Sequence, residues 1–162
     1  MGFFDAIKSI GRAITGGGAK VHVDIGQATV NQPIQVRVKV QVADADIDIS
    51  NVYLLVQAHE EVRIDNNGLT LSLGERVRDL LADGYINGIT HRYQTADFRV
   101  NISGPTTLKA NESYTFDGTV QLPAGARPSY NGQTCDHVWT IQAGLDAFGN
   151  DPDSGWINFI VR

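Results

Sequence analysis

His59, Glu60 and Glu61 stand together in one stretch, and His59-Glu60 is how a zinc-protease motif begins. That motif needs a second imidazole four positions after the first to close the metal site, and Arg63 stands there instead. The better reading of His59 and Glu61 is the wet face of a strand. Cys135-Asp136-His137 sets a thiol and an imidazole two residues apart, on the same side of a strand, as if the ring could activate the sulfur. Catalytic cysteine and histidine ordinarily come from distant parts of a chain and use a third group to orient the base. Asp146, Asn150, Asp151 and Asp153 gather oxygen ligands of the kind Ca²⁺ takes, but without the helix-loop-helix spacing that binds it, and the same residue types make turns. Trp139, Trp156, Tyr130 and Tyr93 would make a sugar-stacking platform if exposed, whereas the strand alternation points both tryptophans toward a core. No phosphate-binding loop, dinucleotide fingerprint or nucleophile elbow is present. The expectation is therefore no catalytic residue, no metal and no cofactor.

The bulk properties narrow the classes further. With 162 residues, the chain is long enough to bury a self-sufficient core. Thirteen basic against eighteen acidic side chains give a net charge of −5, which argues against general affinity for nucleic acid. A single cysteine, Cys135, cannot form an internal disulfide and is compatible with a reducing compartment. No apolar run approaches the length of a membrane span, and Asp5, Lys8 and Arg12 interrupt the N-terminus, so the expectation is a cytoplasmic protein.

The elements that must position any site are strands. Ile34, Val36, Val38, Val40 and Val42 alternate with Gln35, Arg37, Lys39 and Gln41, giving one β-branched dry face and one polar face. Val21, Val23 and Ile25 alternate before it; Val52, Leu54, Val56 and Ala58 alternate after it, with Tyr53 and Leu55 on the outer side. Phe98, Val100 and Ile102 form another run, and Tyr114, Phe116, Gly118, Val120 and Leu122 another, ended by Pro123. Trp139, Ile141, Ala143 and Leu145 share a face, and residues 156–161 supply a last apolar strand. Seven short runs separated by turns predict an all-β chain with two antiparallel sheets packed face to face, immunoglobulin-like in outline. Val36, Val38, Val40, Leu54, Val56, Phe116, Val120 and Ile141 are its predicted core. Ser72 and Glu75 have capping-box spacing and Val77, Leu80 and Leu81 follow at helical intervals, so a short helix ending near Asp83-Gly84 is expected.

Ahead of the strands, Phe3, Phe4, Ile7, Ile10 and Ile14 fall on one stripe of a short amphipathic helix over residues 1–15. Gly16, Gly17 and Gly18 follow as a hinge over residues 16–19, leaving 20–162 as one domain. The five apolar residues are the candidate partner-binding set. A protein partner ranks first and a homo-oligomer is the alternative. Peripheral membrane contact ranks below both, because Lys8 and Arg12 add roughly 1 kcal/mol each toward an anionic surface.

The order Leu122-Pro123, Pro128-Ser129-Tyr130-Asn131-Gly132 and His137-Val138-Trp139-Thr140-Ile141-Gln142-Ala143-Gly144-Leu145-Asp146 resembles the segment by which arrestin-like domains are recognised. Pro33 to Val38 and Val52 to Val56 sit where such domains have early strands. The opening Met1-Gly2-Phe3-Phe4 with Gly18-Ala19-Lys20-Val21 is similar to the bacterial sporulation-control type. That resemblance implies an arrestin-like fold and a non-catalytic adaptor, regulatory in the manner of sporulation control, which binds proteins through strand edges and loops. The chain has length for one lobe where such proteins commonly have two. A ligand-binding domain such as a carbohydrate-binding module is the alternative from another class, and an enzyme ranks last.

Overall fold

A computed structural model describes residues 18–64 and 89–162. Every regular element among them is a strand: β1 (Ala19–Ile25), β2 (Ile34–Val42), β3 (Ile47–Ile64), β4 (Ile89–Asn101), β5 (Thr106–Leu108), β6 (Ser113–Val120), β7 (Tyr130–Asn131), β8 (Cys135–Ala147) and β9 (Ile157–Phe159). β1, β2 and β6 form a small sheet in the order β1-β2-β6, and the large sheet runs β4-β3-β8-β7. β5 pairs with the start of β3, and β9 pairs with β8. All pairings between these strands are antiparallel.

The two sheets share one core because each turns its apolar alternation toward the other. Ile34, Val36, Val38, Val40 and Val42 of β2 are buried, as are Val52, Leu54, Val56 and Ala58 of β3 and Trp139, Ile141, Ala143 and Leu145 of β8. On the outer face Tyr53 lies across Gly144, its register partner, where a Cβ would run into the ring. The Arg99 guanidinium covers the other side of that ring, 4.0 Å from its centroid, so an aromatic on the wet face is still buried.

The strands differ in length, and that difference creates the site. β3 has 18 residues against nine in β2. The core-facing side of β3 is fully covered through Ala58, whereas Glu60 and Val62 are half-buried and Ile64 is exposed. The large sheet therefore runs out beyond the small one, and its inner face there carries polar side chains in place of valines.

Several details differ from the sequence reading. The described residues form nine strands where seven runs are legible, since β5 and β7 have three and two residues and show no periodicity. β4 begins at Ile89, inside a stretch with little apolar alternation, because its first residues face the uncovered end of the sheet. β1 begins at Ala19, so the expected hinge overlaps its first residue. Phe116 flanks the core and is not enclosed by it, lying on the edge strand β6. Trp156 precedes β9 and is 44% exposed, which corrects its placement on an inward-facing strand. The expected helix over residues 1–15 with Phe3, Phe4, Ile7, Ile10 and Ile14, and the capping box at Ser72 and Glu75, lie outside the described residues.

Candidate functional site

Past Ala58 the inner face of the large sheet is built from Glu60 and Val62 of β3, His91 and Tyr93 of β4, and Cys135 and His137 of β8, with Tyr130 of β7 opposite His137. One irregularity adds a further residue. Ala58 pairs with Ala96 but His59 pairs with Gln94, so Thr95 is an extra residue in β4. The bulge turns its hydroxyl inward, and Thr95 Oγ1 lies 2.7 Å from His137 Nε2.

His137 is buried with both ring nitrogens occupied. Its Nδ1 is 3.0 Å from the Pro128 carbonyl. A carbonyl can only accept, so Nδ1 carries a proton, and in the neutral ring Nε2 accepts from the Thr95 hydroxyl. Trp139, 1% exposed, donates from Nε1 to the Arg127 carbonyl at 2.9 Å. Two successive carbonyls of the loop after β6 are thus tied to β8 side chains. The far end of that loop is strapped to the last residues of the chain, Ser129 N donating to the Val161 carbonyl and Val161 N to Ser129 Oγ. Its tip is a turn in which Ala126 N donates to the Pro123 carbonyl and Gly125 takes a φ of 80°, a conformation that suits glycine.

A second network crosses the same face. Cys135 Sγ donates to Glu60 Oε1 and lies beside the Tyr130 hydroxyl, both at 3.3 Å. Arg127 reaches from the loop to Glu60 Oε2 at 2.9 Å. The thiol hydrogen bond is the main cause holding the Glu60 carboxyl below its ordinary value. The same sulfur, followed by loss of water, pushes the Tyr130 hydroxyl up to about 12. At neutral pH the phenol keeps its proton, and the order Tyr130, Cys135, Glu60, Arg127 is a closed run of donors and acceptors. The Tyr130 ring also stacks on His137, with centroids 5.7 Å apart.

Between β4 and the loop lies a groove of about 590 Å³. Its walls are Glu60, His91, Tyr93 and Thr95 on one side and residues 123–127 on the other, with Trp139 at its floor. Tyr93 stands at its rim, 65% exposed.

The groups singled out in the sequence fall in different places. Cys135 and His137 do share a face, but the thiol bonds Glu60 and Tyr130 while Thr95 and Pro128 occupy the imidazole, so the ring has no free nitrogen for the sulfur. His59 and Glu61 face outward, where Glu61 binds Arg92 and Arg63, each at 3.0 Å, and Arg63 binds Asp136 at 2.6 Å. Asp146 binds Asn51 and Arg99, Asp151 caps Ala147 N, and Asp153 caps Gly155 N, so these carboxylates are engaged in holding turns and the sheet. Trp139 is the floor of the groove, and Trp156 does not line it. Thr95 and Arg127 were not among the sequence candidates, and Glu60 entered only as the second residue of the failed zinc-protease motif. Glu60 was findable, being a charge in phase with Val56 and Ala58; Thr95 depends on a bulge with no local signal.

No protein-family model matches the chain, and no curated protein matches it. Among solved structures the backbone is similar to that of Spo0M, sporulation control protein, from Bacillus subtilis, with a TM-score of 0.56 and 19% identity. The match covers 90% of this chain and 50% of that one. The fold is arrestin-like. The chain spans about half the length of that protein. Of the residues that carry the sequence resemblance, Pro123 and Trp139 line the groove, and His137 and Tyr130 stack in turn beside that tryptophan. Leu122-Pro123 follows the end of β6, Pro128 accepts from His137, Tyr130 begins β7, and His137 and Trp139 lie on β8.

Proposed function

We propose that this chain is a non-catalytic adaptor, a protein-interaction module that receives a segment of a partner protein in the groove between β4 and residues 123–127. The observation that carries this reading is the run-out of the large sheet past the small one, which leaves an inner sheet face with a rigid floor and an exposed Tyr93 at its rim. A groove with a packed floor, a strapped wall and an aromatic at the lip suits recognition of a protein chain. The occupied state of His137, Cys135 and Glu60 supports binding over chemistry, since each group is satisfied within the fold. The arrestin-like fold supports a regulatory role, and the sporulation-control name of the similar structure suggests the kind of process. The lone Cys135 supports action in a reducing compartment.

Tyr93 is the anchor by this account. Replacing an exposed rim tyrosine leaves the melt unchanged but removes the type of side chain that dominates interfaces, so Tyr93→Ala is expected to weaken partner binding by roughly thirtyfold, about 2 kcal/mol. Affinity capture from cells of the source organism, followed by titration of the captured protein against both forms, measures this. Equal affinity for wild type and Tyr93→Ala would overturn the groove as the binding site.

A further inference from the structure

β4 lies at the end of the large sheet, with β3 on one side and no strand on the other among the described residues. Such an edge presents unpaired N–H and C=O groups that accept another strand unless something blocks them. Its thirteen residues include neither proline nor lysine, the usual guards, and Tyr93, Thr95, Phe98 and Val100 favour extended structure. The guards present are the charges of Arg92, Asp97 and Arg99, which restrict the registers an incoming strand can take, and the bulge at Thr95, which sets the phase of the edge.

Ile102 N donates to the Val52 carbonyl at 2.8 Å. Counting back in twos, Val100, Phe98 and Ala96 turn their backbone groups toward β3, and Arg99 and Asp97 turn theirs to the open edge. The extra residue shifts this phase, so beyond it Gln94, Arg92 and Thr90 face the edge. Their side chains share the outer face with those of Asp97 and Arg99, because Arg92 stands opposite Glu61 and Asp97 opposite Gln57.

We infer that β4 pairs antiparallel with β4 of a second copy of this chain, about a twofold axis between Gln94 and Thr95. In that register Arg92 of one copy stands opposite Asp97 of the other, Thr90 opposite Arg99, and each pair occurs twice. The edge-facing backbone groups meet edge-facing backbone groups, and outer-face side chains meet outer-face side chains, because the phase shift at Thr95 makes the two halves of the strand complementary. Charge chooses among registers. Sliding by two residues one way sets Arg92 against Arg99, and an axis at Phe98 sets Asp97 against Arg99 but engages residues 95–101 alone. Asp97 makes no ion pair among the described residues, its side-chain bond being from Gln57 at 3.4 Å, whereas Arg99 already holds Asp146. Arg92 is exposed, and one of its terminal nitrogens holds Glu61. This inference goes beyond the adaptor reading and does not depend on it.

Sedimentation equilibrium of the full chain across a concentration series tests the pairing. Wild type is expected to dimerise. Arg92→Asp or Asp97→Arg is expected to weaken the dimer by roughly tenfold, since each reversal sets like charges opposite twice, and the double reversal is expected to restore it. In a Cys135→Ser background, Arg92→Cys and Asp97→Cys chains should form a disulfide-linked dimer on oxidation when mixed and not when oxidised separately. Wild type that stays monomeric throughout the series overturns the inference, as does a dimer unmoved by either reversal or a cross-link as strong in Arg92→Cys alone. A monomer whose partner binding still depends on Tyr93 would overturn the pairing while leaving the adaptor reading in place.

Discussion

Val38→Asp unfolds the domain. Val38 is fully buried at the centre of the small sheet, with Val23 opposite on β1 and Phe116 opposite on β6. An aspartate there has valines on the same strand two residues to either side, no cationic side chain on the same face of its strand, and the large sheet above it. Leaving a charge unpaired in such a place costs several kcal/mol, against a total stability of about 5–15 kcal/mol for a domain of this size. Circular dichroism should show no cooperative melt at temperatures where wild type is folded. The neighbour provides the control, because Arg37 faces solvent and its 2.6 Å pair with Asp117 is exposed on both sides. Arg37→Ala is expected to melt almost as wild type does. A cooperative wild-type melt for Val38→Asp would sink the assignment of the two-sheet core.

Trp139→Ala has the second largest effect, and it reaches the groove as well as the core. The indole packs against His137 edge-on and against Phe159 on β9, with centroids 5.8 Å and 6.1 Å away, and its N–H holds the Arg127 carbonyl. Truncation opens a cavity between the sheets and frees that carbonyl, a loss of about 3–5 kcal/mol, or a fall in Tm of roughly 10–15 °C. Trp139→Phe separates the two contributions: it keeps most of the packing and loses the hydrogen bond, at a cost of about 1–2 kcal/mol. Protease should cut residues 123–127 faster in both variants, since the loop has lost a tie to β8. A Trp139→Ala chain that melts within about 2 °C of wild type would contradict the placement of the indole as the floor.

The legible part of this fold is the part governed by alternation. β2 reads as a strand because its five dry positions are all aliphatic and its four wet ones all polar, and burial follows that pattern along its whole length. β8 reads equally well through Trp139, Ile141, Ala143 and Leu145. The signal fails where a strand leaves the shelter of the opposing sheet, since nothing then requires its inner face to be apolar. That is why the first half of β4 has no clear period, and why Glu60 and His91 look like surface residues although they line an inner face. Trp156 fails for a related reason: residues 156–161 are apolar except at Asn158, but the strand proper is Ile157–Phe159 and the indole lies just outside it. The site was half legible. Tyr130, His137 and Trp139 attract attention in the sequence as chemistry or as a family segment, whereas their partners Thr95, Arg127 and the Pro128 carbonyl meet them through a bulge and a loop that leave no periodic trace.

The central claim is that partner proteins are held in the groove between β4 and residues 123–127. Amide hydrogen exchange on the full chain, free and bound to its captured partner, tests it most directly, because exchange reports backbone burial residue by residue. Slowed exchange on binding is predicted for residues 124–127 of the loop, while β1 and the outer face around Gln142 stay unchanged. Protection confined to β1 or to that outer face, with the loop exchanging as fast as in the free chain, would contradict it.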